Sequence, residues 1–389
     1  MRVVTRARIV AAAAIFSCIL CAGQISSQHQ SASGVPAAVQ PSEADAPSGW
    51  LELGRDELQR GTTLTRQGKF KDAIPHLLAA QRGLTNEYAL EFNLGLCYVG
   101  VGEYTKAVQI LDGLRRGGHE NADVENLLAQ AYVGSGQGPQ ALATVERAAA
   151  IAPQNEKLFT FVTDACTDVN DFELGLKVVD IGLRNLPQSA RLHYERAVFL
   201  SQLDQFDRAK PDFQLASTLG KGSEIGYLAS AYENLLGGNV SEAIRISREG
   251  IKQGVQNPAL LVILGKALLR SGIVPGQPEF AEAQAVLEKA VAQRPNDAGS
   301  QIGLGQIYLM SGQLDDAIAH LETARRMQPD QPSIYASLAK AYQRKGDSQS
   351  AHEALARLES LNQAQAERIR SAPGERKMSY GGNSSASPQ

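Results

Sequence analysis

Aromatic residues are scarce in this chain of 389 residues, at 6% with a single Trp, and β-branched runs are scarce as well. Both shortages argue against a sandwich or barrel, whose strands draw on those side chains. Long apolar runs are missing. The longest, Ile9 to Leu20, has twelve residues with Ser17 its only hydroxyl, short of the roughly 20 needed to cross a bilayer as a helix. No sign of charge dominates. The formal net charge is −3 and falls to −6 if residues 1–23, with Arg2, Arg6 and Arg8 and no acid, are removed. A mildly acidic chain is a poor nucleic-acid binder unless its positive charge is clustered. What is abundant is Ala, Leu, Gly and Gln, within a normal hydrophobic load of 43%. An all-helical protein follows from that usage.

The ends read differently from the middle. Arg2, Arg6 and Arg8 followed by the apolar run form an export signal over residues 1–23, with Cys21 and Gly23 at the small-residue positions before cleavage. An uncleaved anchor or a cytosolic helix is the plainer alternative. Lipid attachment at Cys18 or Cys21 fits badly, since Phe16 and Leu20 are bulky where small residues are needed. Residues 24–53 begin rich in Ser, Ala, Gln and Pro and read as a flexible tether; residues 366–389 read as the end of a helix extension, from about Ala364 to Arg370, and then a disordered tail with too few apolar residues for a core.

The middle repeats every 34 residues. Gly68, Gly102, Gly136, Asn170, Asp204, Gly238, Gly272, Gly312 and Gly346 mark one position, and a small residue follows five later except where six extra residues intervene around Ile273 to Pro278. Nine units fill 54–365: 54–87, 88–121, 122–155, 156–189, 190–223, 224–257, 258–297, 298–331 and 332–365. Each carries two apolar stripes at helical spacing, such as Leu94, Tyr98 and Val101, then Ala107, Ile110 and Leu111. The Gly or polar break stops the first helix and a Pro such as Pro153, Pro187, Pro295 or Pro329 ends the second. One helix pair cannot bury its own apolar faces, so neighbours must stack.

These residues resemble the tetratricopeptide repeat family across the whole middle of the chain. The family's small residue at unit position 8 is matched by Gly61, Gly95, Ala129, Thr163, Ala197, Ala231, Gly265, Gly305 and Ala339. Its aromatic at position 17 is met by Phe70, Tyr104, Phe172, Phe206 and Phe280, and missed at Gly138, Val240, Leu314 and Ser348. The resemblance implies an all-α, right-handed superhelical solenoid of about nine helix-turn-helix repeats, with first helices lining a concave groove. Cys97 and Cys166 then lie two repeats apart on inward positions and read as small buried hydrophobes, not a disulfide.

The resemblance also implies which residues face the groove: Phe92 and Leu96; Asp164 and Asp168; Tyr194; Leu228, Tyr232, Leu235 and Leu236; Lys266, Leu269 and Arg270; Ile302 and Met310; Lys340 and Arg344. A contiguous apolar surface of this kind marks a binding site. The expectation is a protein or peptide partner along units five to eight, its acidic residues meeting Lys266, Arg270, Lys340 and Arg344. The competing reading is close packing of first helices on one another. One subclass of the family grips a C-terminal carboxylate with Lys and Asn on successive first helices. Asn93 fits one such place, but Leu58, Thr62 and Asp123 depart from the pattern.

Catalytic, cofactor and metal sites are not expected. His76, His119, His320 and His352 lack ligand spacing, and His193 replaces a large apolar residue. Asp164 and Asp168 share a helix face, but hard cations take about six or more oxygens. Gly303-Leu304-Gly305 is helix interior, not a phosphate loop. The sequence therefore points to an exported, non-enzymatic protein-interaction scaffold, periplasmic or extracellular, with no nucleic-acid partner and no membrane span after signal cleavage. The alternatives are a scaffold of envelope assembly or polysaccharide secretion and, from another class, a divergent enzyme subunit. Oligomeric state is left open.

Overall fold

The structure is a computed structural model that describes residues 48–85 and 87–371. The described residues form eighteen helices and no strand. They pair as α1 (Ser48–Arg66) with α2 (Phe70–Ala80), α3 (Tyr88–Val101) with α4 (Tyr104–Arg116), α5 (Ala122–Gly134) with α6 (Gly138–Ile151), α7 (Glu156–Asp168) with α8 (Phe172–Asn185), and α9 (Ala190–Gln202) with α10 (Phe206–Leu219). Then come α11 (Glu224–Leu236), α12 (Val240–Lys252), α13 (Pro258–Arg270), α14 (Pro278–Gln293), α15 (Ala298–Ser311), α16 (Leu314–Met327), α17 (Pro332–Lys345) and α18 (Ser348–Ser371). This is an all-α helical-repeat solenoid. The chain divides into two compact bodies, the first ending at Gly238 and the second starting at Asn239, so the boundary cuts the sixth repeat between its two helices.

The 34-residue period becomes backbone geometry at the turn between paired helices. All nine marker positions have positive φ, from 58° at Asn170 and Asp204 to 85° at Gly346. Asn170 and Asp204 are the only described residues other than glycine in that region. Both belong to the residue types that tolerate it. The small residue that follows, five positions later in eight units and eleven later at Ala283 in the seventh, is buried in every unit from Ala73 to Ala351. It lets the second helix press on the first.

Within each body, successive first helices pack side by side: α1, α3, α5, α7, α9 and α11 in the first, α13, α15 and α17 in the second. Each second helix packs on the first helix that follows it in the same body. Among the described residues, α6 with α8 is the one pair of second helices in extensive contact. In each body the first helices therefore share one face and the second helices the other.

Three local features differ from, or add to, the sequence reading. The tether expected over 24–53 ends early, because α1 starts at Ser48. Gly83 has no side chain, so the Trp50 carbonyl can lie against the turn after α2. In the inserted turn of unit seven, Ile273 is buried with Leu264, Leu268 and Phe280, and the Gln277 side chain accepts from the Val274 N–H at 3.0 Å. α18 runs on to Ser371, and Asn362, Gln363, Gln365 and Glu367 are exposed after Leu361. The export signal, the rest of the tether and residues 372–389 lie outside the described residues.

Candidate protein-binding surface

The first-helix face of the first body carries a polar cluster where α7 meets α9. The Thr163 hydroxyl lies 2.6 Å from Glu195 Oε2 and 2.8 Å from the Thr160 carbonyl. Its single proton can serve only one of these acceptors, so a proton on Glu195 satisfies both. Burial pushes the Glu195 carboxyl up to about 7; Arg191, 2.5 Å away, pulls it down in part, while Asp164 pushes it further up. Burial also acts to lower the Arg191 pKa, but the charges of Glu195 and Asp164 outweigh it and hold the guanidinium above its ordinary value. Asp164 is exposed and Asp168 half-buried. Sequence reasoning placed Asp164 on this face and missed Glu195, the acid it acts on. The available signal was an acid at position 6 of a first helix, where the stack leaves little room for water.

The apolar residues expected on this face are more enclosed than anticipated. Leu96, Leu228, Leu235 and Ile302 are buried, not open to solvent. Ile302 packs with Leu321, Ile334 and Leu338. Burying such a side chain contributes about 1.5–3 kcal/mol, so close contact between first helices wins at these positions. Phe92, Tyr194, Tyr232, Leu236 and Leu269 are half-buried. Phe92 stacks on Tyr88 at 5.6 Å, and Tyr194 and Tyr232 both turn edges to Phe213, at 6.2 and 5.3 Å. Met310 is 37% exposed, the most open apolar residue of the set.

The basic residues sit in the second body. Arg270, Lys340 and Arg344 are exposed and Lys266 is half-buried. Arg344 donates to the Leu309 carbonyl, capping the end of α15. Lys266 lies over Gly299, where a Cβ would come within 3.0 Å of its Nζ. Burial lowers the Lys266 pKa and Asp297 partly restores it.

Among the described histidines, only His193 is buried. His193 Nδ1 is 2.7 Å from Asp212 Oδ1 and its Nε2 is 3.0 Å from the Pro187 carbonyl oxygen, while Arg196 donates to both Asp212 oxygens. His76 with Glu57 and His320 with Gln301 repeat the arrangement, each at 2.6 Å and 19 residues apart. Burial raises the Cys97 thiol to about 11 and Cys166 to about 12, and both are free, so neither is a ready nucleophile. Among the described residues no group of three or more His, Cys, Asp or Glu is placed to hold a metal ion, and no helix is long and apolar enough to cross a membrane.

Models of the tetratricopeptide repeat match residues 277–336, 309–372 and 126–147. The "TPR repeat-containing protein YpiA" of Bacillus subtilis (strain 168) is 23% identical over 279 residues, 71% of this chain and 56% of that protein. The chain carries tetratricopeptide repeats. "Cellulose synthase operon protein C" of Xanthomonas axonopodis pv. citri (strain 306) is 31% identical over 101 residues, 24% of this chain and 7% of that protein. The chain thus spans about half the length of the first relative and a small part of the second. Among solved structures, a monomeric mutant of IFIT1 with m7Gppp-AAAA is 14% identical, with a TM-score of 0.50 over 85% of this chain and 86% of that one. A tetratricopeptide repeat protein from Parabacteroides merdae ATCC 43184 is 17% identical, with a TM-score of 0.44 over 75% and 99%. At these identities the likeness is one of fold. A tetratricopeptide-repeat fold is, in general, a scaffold for protein–protein interaction.

Proposed function

We propose that this chain is a non-enzymatic scaffold that holds a protein or peptide partner on the shared face of its first helices, after export to the periplasm or beyond. The observation that carries the reading is the side-by-side packing of α13, α15 and α17, which presents Met310 among basic side chains on one face. A rigid helical platform with an exposed apolar residue ringed by charge suits a partner better than a small substrate. The basic leader residues and the short apolar run support export. Polysaccharide secretion or envelope assembly is the second reading, supported by the short match to the cellulose synthase operon protein.

The test is photo-crosslinking in cells. A photoreactive residue replacing Met310 should capture a partner, and one replacing Ala319, exposed on the second helix α16, should not. Equal capture from both positions would remove the first-helix face from consideration. Fractionation of the same cells tests export, which fails if the chain stays in the cytosol with its leader attached.

A further inference from the structure

The first helices of the second body contain no aspartate or glutamate, whereas α14, α16 and α18 each carry several. At unit position 9 the three first helices read Lys266, Gln306 and Lys340, and at position 13 Arg270, Met310 and Arg344. Because α15 packs between α13 and α17, these six residues form two parallel rows across one face. Each row is basic at both ends and uncharged in the middle. Lys266 makes no hydrogen bond or ion pair with a described residue, although it is half-buried and Gly299 leaves its ammonium room. A cation held in this way without a direct ion pair, with only the nearby charge of Asp297 to offset its burial, is costly, and a carboxylate brought by a partner offsets that cost.

We propose that this face takes an extended acidic segment of a partner protein, with one carboxylate on Lys266 and Arg270, a second on Lys340 and Arg344, and apolar side chains between them over Met310. Packed helices lie about 8–10 Å apart, so the two basic ends are about 16–20 Å apart, and an extended chain rising about 3.3 Å per residue covers that in about six residues. An even spacing keeps both carboxylates on the same side of the strand. Nucleic acid is the rival anion, but its closely spaced phosphates have no match in rows whose centres are Gln306 and Met310. The inference rests on the protein-binding reading above.

The test uses the full chain and a labelled probe, acetyl-Ser-Glu-Ser-Leu-Ser-Leu-Ser-Glu-Ser-amide, followed by fluorescence anisotropy. The Gln analogue of the probe should bind about tenfold or more weakly, and so should the probe to the double variant Lys266→Gln, Lys340→Gln. The thermal melt of that variant should not fall, because neither lysine makes a hydrogen bond or ion pair with a described residue and Lys266→Gln removes a half-buried charge. Lys266→Arg with Lys340→Arg should keep the affinity. Equal binding of the Glu and Gln probes, undiminished binding by the double variant, or tighter binding of an oligouridylate of similar length overturns the proposal. If the probe fails while Met310 still captures a partner in cells, only the acidic motif is wrong; if both fail, the protein-binding reading falls with it.

Discussion

Gly265 and Leu287 meet so closely that a Cβ on the glycine would lie 2.6 Å from the leucine Cγ. Gly61 with Leu77, Gly95 with Leu111 and Gly305 with Leu321 repeat the contact at 2.6–2.7 Å. All four leucines are fully buried. Where the glycine position holds Ala129 or Thr163, the leucine position holds Val145 or Val179. Volume is thus traded between the two helices of a repeat, as a close-packed interior requires. The fifth and ninth repeats depart from this: the fifth places Phe213 opposite Ala197 and turns its ring toward Tyr194 and Tyr232, and the ninth pairs Ala339 with a Leu355 that is exposed.

Gly265→Ala should therefore destabilise the second body by about 1–3 kcal/mol through overpacking. Adding Leu287→Val should recover part of the loss, because it recreates the pairing of Ala129 with Val145. Urea midpoints of the two single variants and the double variant measure the coupling. Strict additivity would show that the two residues do not share the space.

Asp212 is the acceptor for both His193 and Arg196 inside the fifth repeat. Asp212→Ala leaves two donors near the core without their carboxylate and should cost about 3 kcal/mol or more. An isolated loss below about 1 kcal/mol in a urea titration would mean that water replaces the carboxylate there.

The repeat skeleton was legible because it rests on residue types with narrow conformational roles. A positive φ admits Gly, Asn or Asp, so Asn170 and Asp204 could be placed at the turn from spacing alone. Depth on the first-helix face was not legible. Leucine is buried at Leu96 and Leu235 but half-buried at Leu236 and Leu269, a difference that residue type alone does not carry. Polar pairs such as His193 with Asp212 join two helices 19 residues apart and leave no local pattern. The Arg344 cap on α15 reaches back 35 residues to Leu309. The early start of α1 is set by its contact with Gly83, which the composition of the preceding segment does not reveal.

Glu195 should make stability depend on pH in the direction opposite to an ordinary ion-paired acid. Its folded pKa, about 7, lies above the ordinary carboxylate value of 4.5. The folded state then holds the proton more tightly than the unfolded state. This contribution is fully present below about pH 4.5 and is lost as pH rises toward about 7, with an upper limit of about 3 kcal/mol. Urea midpoints at pH 5 and pH 8 should differ in wild type, lower at pH 8, and the difference should shrink in Glu195→Gln. An equal slope in both proteins would assign the pH dependence to other groups.

Gly136 separates backbone conformation from space. Its φ is +74°, yet a Cβ built there meets nothing within 4 Å. Any penalty for a side chain at this position must come from the left-handed backbone itself. Gly136→Asn should therefore cost less than about 1 kcal/mol, since Asn visits that region and Asn170 already occupies the equivalent turn. Gly136→Val, β-branched and ill-suited to positive φ, should cost about 2 kcal/mol or more. The comparison reads directly as two urea midpoints. Equal losses for Asn and Val would mean that the turn relaxes out of the left-handed region, and that the 34-residue marker is a helix stop without a required conformation.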